Sequence, residues 1–493
     1  MFAFSIILLL IFSGILAFII KNVAFAKKMT LVVLALCFVA SVKLVLDTYG
    51  GQVVYLTLGA PPWNFSLSVS RLEAFMSCLF TGISFLIMWA SVSMIDHDVK
   101  EKRLPLYYAL ICWLLAMLLG VMFFDNLFNV FIFIDISSFA AACIVIIKDK
   151  PENLRAGIKY IALSILGSGF ILMGIVVLFS LTGELSLPAI HAVFHYGLGD
   201  NADAVFYALL FITLGVGFKS ALFPMHLWLP DAHGTAPSPS SAILSALVLK
   251  AYIVFYIKIL YIAIGHDVLA SDERLQQLLL AVLLLGAIAM LAGSIFAILQ
   301  TDIKRMIAYS SVAQIGYIFM GVGLGTEFGL YAAVFHIVAH AITKAALFLL
   351  AGSIIEQTDN RNLKEMDGLG YKMPITITMF TIGALSMIGI PAFIGFNTKW
   401  NFALAIMNSG FYWVMAALAI SALLNACYYL PVVIRAFFGE KARQVADNPE
   451  KIERPVRHLM PIMILCFMVI LFGVYSAPIV SLIEAGVAFV WVT

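Results

Sequence analysis

Apolar residues run along this chain in unbroken blocks, interrupted by short polar clusters. Blocks of about 20 residues recur about fourteen times, and that length crosses a hydrocarbon core as a helix. The pattern predicts helices at 2–20, 29–46, 72–95, 106–123, 127–147, 158–181, 204–230, 241–262, 275–298, 306–325, 329–352, 374–407, 411–433 and 459–486. Those at 204–230 and 374–407 are interrupted. The first carries Gly215, Gly217 and Pro224 around Lys219; the second carries Gly389, Pro391 and Gly395 ahead of Lys399. Each is the fourth helix of a five-helix block, 106–262 or 275–433. An odd-numbered block can recur in a membrane only with inverted orientation, and paired interruptions point to such a repeat. The expected organisation is a three-helix segment at 1–105, the two inverted repeats, and an inner loop with a C-terminal helix at 434–493.

Loop charges test the count. Most Lys and Arg outside the blocks follow odd-numbered helices, among them Lys27, Lys28, Arg103, Lys150, Arg155, Arg305, Arg361, Lys364 and Arg457. Lys304 falls in the same set. The opposite loops hold Arg71 and Arg274. Basic loops stay inside, so both termini are expected on the outer side. The 353–372 segment and the stretch Arg435–His458 read as solvated inner connectors.

Composition agrees: 63% of the 493 residues are hydrophobic, 11% are charged, and the mean hydropathy is +1.06. The fold class is all-α and polytopic, with no room for a sizeable soluble domain. No basic residue precedes the first block, which reads as a retained span rather than a signal peptide. Cys37, Cys78, Cys112, Cys143, Cys427 and Cys466 lie in apolar blocks without metal-ligand spacing. No haem, flavin, iron–sulfur or metal set is expected in this chain.

Charges inside the blocks carry the chemistry. One carboxylate, Asp135, sits midway along NLFNVFIFIDISSFAAACIVII at a cost of about 2.5–3.5 kcal/mol. Lys219, in the broken helix of the same block, is its natural partner. Burial disfavours a charged lysine and a carboxylate favours it, so a movable pair can take up and release a proton. Lys250 lies at mid-depth in the next helix. His336, His340 and Lys344, spaced by four, share one helix face that must meet protein or water. Lys399 lies in the outer half of its helix, placed for proton exit. His226, Asp231 and His233 form a candidate inner entry, with capping and loop packing as the alternative account. Lys43 and Lys258, nearer helix ends, read as snorkelling side chains.

In order, FKSALFPMHLWLPDAHGTAPSPSSA, TDIKRMIAYSSVAQIGY, HIVAHAITKAALFLLAG and IGIPAFIGFNTKW resemble the antiporter-like subunits of respiratory complex I, membrane-bound hydrogenases and Mrp-type cation/proton antiporters. The resemblance is clearest over residues 70–435. It implies fourteen helices and a central polar axis. It also implies that Lys219 is the broken-helix lysine paired with an acid at Asp135, Lys250 the connecting lysine and Lys399 the exit-side one. The family usually has Glu where this chain has Asp135, and the missing methylene is expected either to lengthen the pair or to favour a bridging water. Among the members it resembles the shorter types, and no long lateral helix like that of the largest ones is expected.

The implied function is proton translocation within a redox-driven complex of a prokaryotic inner membrane. Iron–sulfur clusters would then belong to partner subunits, and the partners would include other antiporter-like chains but no nucleic acid. Two alternatives stand beside it: a subunit of an Mrp-type Na⁺/H⁺ antiporter without electron transfer, and a structural subunit with an inactive channel. The chain itself carries no catalytic redox site; it belongs to an oxidoreductase only under the first reading.

Overall fold

The computed structural model describes residues 2–60, 64–195, 197–439, 442–447 and 450–492. Thirteen of its helices are long and apolar enough to cross a membrane. A hydrocarbon core offers no water to satisfy backbone groups, so each crossing segment closes its hydrogen bonds internally. Helix starts are fixed by side chains that accept the first free N–H groups. Asn22 caps Val23–Thr48, Asn126 caps Leu127–Ile146, Asp272 caps Glu273–Ile298 and Thr326 caps Glu327–Thr358.

Numbered in chain order, the first six spans are Phe2–Ile20, Val23–Thr48, Arg71–Asp98, Leu104–Phe123, Leu127–Ile146 and Pro151–Thr182. The seventh is discontinuous. Ala202–Ser220 ends where Ala221 turns left-handed, and a short turn at Met225–Trp228 leads into Leu229–Thr235. The eighth runs Ser238–Ile264 with π-helical turns at Leu244–Val248 and Ile259–Ile264. The ninth to eleventh are Glu273–Ile298, Ile303–Gly323 and Glu327–Thr358. The twelfth is built from two short helices, Pro374–Ile388 and Ile394–Ser409; Val414–Phe438 and Val456–Val474 follow as the thirteenth and fourteenth.

Close glycine contacts set the packing that matters here. A Cβ at Gly215 would stand 2.6 Å from the Gly167 carbonyl oxygen, so the sixth and seventh spans touch backbone to backbone. In the twelfth span Gly389 has φ +93°, and a Cβ at Gly395 would overlap the Ser386 carbonyl. Only glycine lets those two half-helices meet so closely.

Several elements depart from the expected pattern. The C-terminal helix placed at 459–486 is two helices, Val456–Val474 and Ala477–Val492. The second packs Gly486 against Leu72 and Trp491 against Tyr261 and His266. Between the second and third spans, Val54–Leu58 and Phe65–Val69 pair antiparallel, with Val54 opposite Val69. The loop at 182–203 contains a helix, Leu187–Phe194. The stretch Arg435–His458 is not wholly solvated. Arg454 is buried against Glu356 and donates to the Ser93 carbonyl at 3.1 Å.

Candidate functional site: a buried polar axis

The backbone contact between Gly167 and Gly215 brings Lys219 into reach of the fifth and sixth spans. Its ammonium donates to Ser138 Oγ at 2.7 Å and to Ser164 Oγ at 2.8 Å. Asp135 Oδ1 lies 3.8 Å away, an ion pair without direct hydrogen-bond contact. Ser168 Oγ donates to that same Asp135 oxygen. Trp228 Nε1 donates to the Phe218 carbonyl at 2.9 Å, covering a backbone acceptor that the break exposes. Lys219 therefore needs none of its own helix's carbonyls and faces its neighbours.

Lys250 is wholly buried one span further on, and its ammonium donates to the Ser245 carbonyl inside the first π-turn. π-turns widen the helix and recur at functional positions. On the same span as Lys250 are two tyrosines in buried hydroxyl pairs, Tyr252 with Ser137 at 2.8 Å and Tyr256 with Thr213 at 2.8 Å. The Lys219 ammonium is 5.9 Å from the centre of the Tyr252 ring.

The eleventh span carries the histidine stripe through the centre. His336 and His340 are buried with ring centroids 5.8 Å apart and nearly parallel. Among the described residues, neither has a hydrogen-bond partner on either ring nitrogen. Lys344 donates to the Ile307 carbonyl at 2.8 Å and to Ser310, whose hydroxyl also meets Tyr429. A cavity of about 10 Å³, enough for one water, lies between His336, His340, Gln314, Thr343 and Lys399. The structure thus joins the stripe to the second broken span.

Lys399 itself reaches back across the break, donating to the Met387 carbonyl at 3.1 Å and to that of Ile388. Lys219 closes the first half-helix of its span, whereas Lys399 opens the second half of its own. Both ammoniums nevertheless sit at the carboxyl end of a first half-helix, the negative end of its dipole.

The proposed entry trio is not brought together. Asp231 is tied between Lys159 at 2.7 Å and Arg305 at 3.0 Å, joining three elements at the basic face. His226 is packed among Phe223, Phe296 and Tyr309. His233 is wholly buried beside Trp228 and Phe348, with both ring nitrogens unpartnered among the described residues. Pro224 and Pro391 fall within the two breaks, as expected.

Other buried charges escaped the sequence reading. Lys258 does not snorkel: its ammonium lies 3.5 Å from Glu73, both side chains 2% exposed, and donates to the Met122 carbonyl at 2.6 Å. Lys304, grouped with the loop charges, is wholly buried and donates to the Ala236 carbonyl. Asp98 and Lys148 pair at 2.6 Å. The signal for each lay in a partner from a distant span. For Ser138 it lay nearer, one helical turn beyond Asp135.

Thirteen long apolar helices, two broken spans and a row of buried lysines and histidines define a polytopic ion-transport scaffold. The chain belongs to the NADH:quinone oxidoreductase/Mrp antiporter transmembrane family, whose model matches residues 125–425. It is 34% identical to NADH-quinone oxidoreductase subunit N of Desulforudis audaxviator, over 87% of this chain and 85% of that one. It is 28% identical to the D-type subunit of the Na(+)/H(+) antiporter of Alkalihalophilus pseudofirmus, over 89% and 86%. A solved chain from a membrane-bound sulfane sulfur reductase, an archaeal respiratory membrane complex, superposes with a TM-score of 0.90 at 26% identity, covering 99% of this chain and 97% of that one. These relatives are subunits of multi-subunit membrane complexes.

Proposed function

We propose that this chain carries protons through the Asp135, Lys219, Lys250, His336, His340, Lys344 and Lys399 axis as one subunit of a redox-driven membrane complex. The observation that carries the reading is the Lys219 site. A buried ammonium is held by two hydroxyls and a carboxylate 3.8 Å away, a separation that a small side-chain motion opens or closes. Such a pair switches a lysine between holding and releasing a proton. A lysine at the centre suits protons better than a bare cation, which needs a shell of oxygen ligands.

Partner subunits follow from exposure. The Asp135 side chain is 36% exposed midway along a span, on a face with Phe128, Ile132, Ile136 and Phe139. A carboxylate facing lipid at that depth is costly, so a neighbouring chain, an antiporter-like subunit in this reading, covers it. The bias of Lys and Arg toward one set of loops supports an inner side at Asp231 and Arg305, with both termini outside, in a prokaryotic inner membrane. Iron–sulfur clusters belong to other subunits in this reading.

Similarity to the D-type antiporter chain over 89% of this one supports a second reading, a Na⁺/H⁺ antiporter component without electron transfer. Purifying the complex from its native membrane distinguishes the two. Co-purified iron–sulfur subunits support the first, and small membrane subunits alone the second. Lys219→Ala is expected to abolish proton flux in reconstituted vesicles with assembly intact; unchanged flux would overturn both.

A further inference from the structure

The entry assigned from sequence leaves a gap, because Asp231 is held by two cations and His226 by aromatic rings. Protons must reach the axis elsewhere. At the basic face a cavity of about 10 Å³, room for one water, is lined by His97, Asp98, Ser238, Glu356 and Arg361. His97 stands at its mouth, with a side chain 39% exposed, 3.6 Å from Asp98 and 3.5 Å from Asp359. Asp98 pairs with Lys148 at 2.6 Å.

Beneath this cavity lies Lys304, wholly buried, its ammonium on the Ala236 carbonyl, two residues before Ser238 opens the eighth span. The charges facing it are Lys148, Arg361, Asp98 and Asp302. Deeper again is His233, wholly buried and, among the described residues, without a partner on either nitrogen. The charges facing His233 are Lys250, Lys304 and Lys344, one from each of three spans. Beyond it Ser245 Oγ meets Ser311 Oγ at 3.0 Å, and the Ser245 carbonyl accepts from Lys250. Titratable groups that feel one another's charge therefore succeed one another from His97 at the surface to Lys250 on the axis.

We infer that Lys304 is the inner loading site. The His97–Asp98 cavity delivers a proton from the inner solution, Lys304 takes it up at the Ala236 carbonyl, and His233 passes it to Lys250. Only N–H and O–H bonds form and break, and Lys304 alternates between amine and ammonium. The inference rests on the proton-translocation reading and replaces His226 and Asp231 as the route in.

Lys304→Arg separates this role from a structural one. Arginine keeps the charge and a donor for the Ala236 carbonyl, but does not give up its proton. The assay is potential-driven proton uptake by vesicles containing the whole complex, with potassium and valinomycin setting the potential and a pH-sensitive dye as readout. The expected result is normal assembly with flux reduced about 10²-fold, the scale of losing a proton-transfer group. Wild-type flux in Lys304→Arg, with Lys219→Ala inactive, overturns the loading site and leaves the function standing. Wild-type flux in both variants removes the function as well. Should Lys304→Arg fail to assemble, His97→Ala at the exposed mouth decides. A several-fold loss that is recovered by added imidazole buffer supports the route, and an unchanged rate and pH profile overturn it.

Discussion

Asp135→Asn removes one charge from the Lys219 site with almost no change of shape. At 3.8 Å, an effective dielectric of about 20 makes the Coulomb interaction about 4 kcal/mol. The Asp135 side chain is 36% exposed in the isolated chain, so solvent screening reduces that to about 2 kcal/mol. If this energy is gained and lost during each transfer, its removal slows flux about 30-fold. The measurement is a double-mutant cycle in reconstituted vesicles, with Asp135→Asn and Lys219→Ala separately and together. With Lys219 in place the asparagine is expected to cost about 30-fold; combined with Lys219→Ala it is expected to cost nothing further. Equal losses in both backgrounds would refute the idea that the two residues act as a pair. Asp135→Glu adds the methylene that the 3.8 Å gap lacks and is expected to match or exceed the parent flux.

Asp231→Asn is expected to lower thermal stability by loosening two ion pairs while leaving flux per assembled complex within about twofold; a collapse of flux would restore Asp231 to the entry. Gly215→Val drives a side chain into the Gly167 carbonyl and is expected to cost about 1–3 kcal/mol of stability or prevent assembly. Normal thermal unfolding of that variant would show that the sixth and seventh spans do not need their close contact. Glu73→Gln alone leaves Lys258 buried without its counter-charge and is expected to cost about 3–5 kcal/mol, whereas adding Lys258→Met is expected to recover most of it. A double variant no more stable than the single one would contradict pairing between them.

What the sequence made legible followed from the length of its apolar runs. A block of about 20 apolar residues has few options besides a spanning helix, and the basic loops supported the alternation. Asp135 and Lys219 were visible because a lone charge in such a block stands out. Their immediate partners, Ser138 and Ser164, were not, because serines are ordinary in membrane helices. VYLTL and FSLSV are too short and too mixed to announce a hairpin beside so many long helices. Lys258 looked like a snorkelling residue because its partner Glu73 opens a different span. Lys304 looked solvated because the predicted helix began at 306 and left it in the preceding loop, whereas the helix begins at Ile303. Both errors came from judging burial by position along one helix when packing between helices decides it.

The two broken spans solve one electrostatic problem in different ways. Breaking a membrane helix leaves carbonyl groups without partners at the end of its first half. In the seventh span the Trp228 indole meets the Phe218 carbonyl, and the Leu222 and Ala221 amides meet that of Gly217. Lys219 is then able to turn toward hydroxyls and a carboxylate on other helices. In the twelfth span the lysine itself satisfies the carbonyls, aided by Asn425 at 3.2 Å from the Met387 oxygen. Lys399 consequently has backbone dipoles where Lys219 has Asp135. A carboxylate can move away and release its lysine, whereas carbonyls fixed in a helix end cannot. In the proposed relay, control by side-chain motion therefore falls to the Lys219 site. At Lys399 it belongs to water exchange through the cavity shared with His336 and His340 or to movement of the half-helices about Gly389.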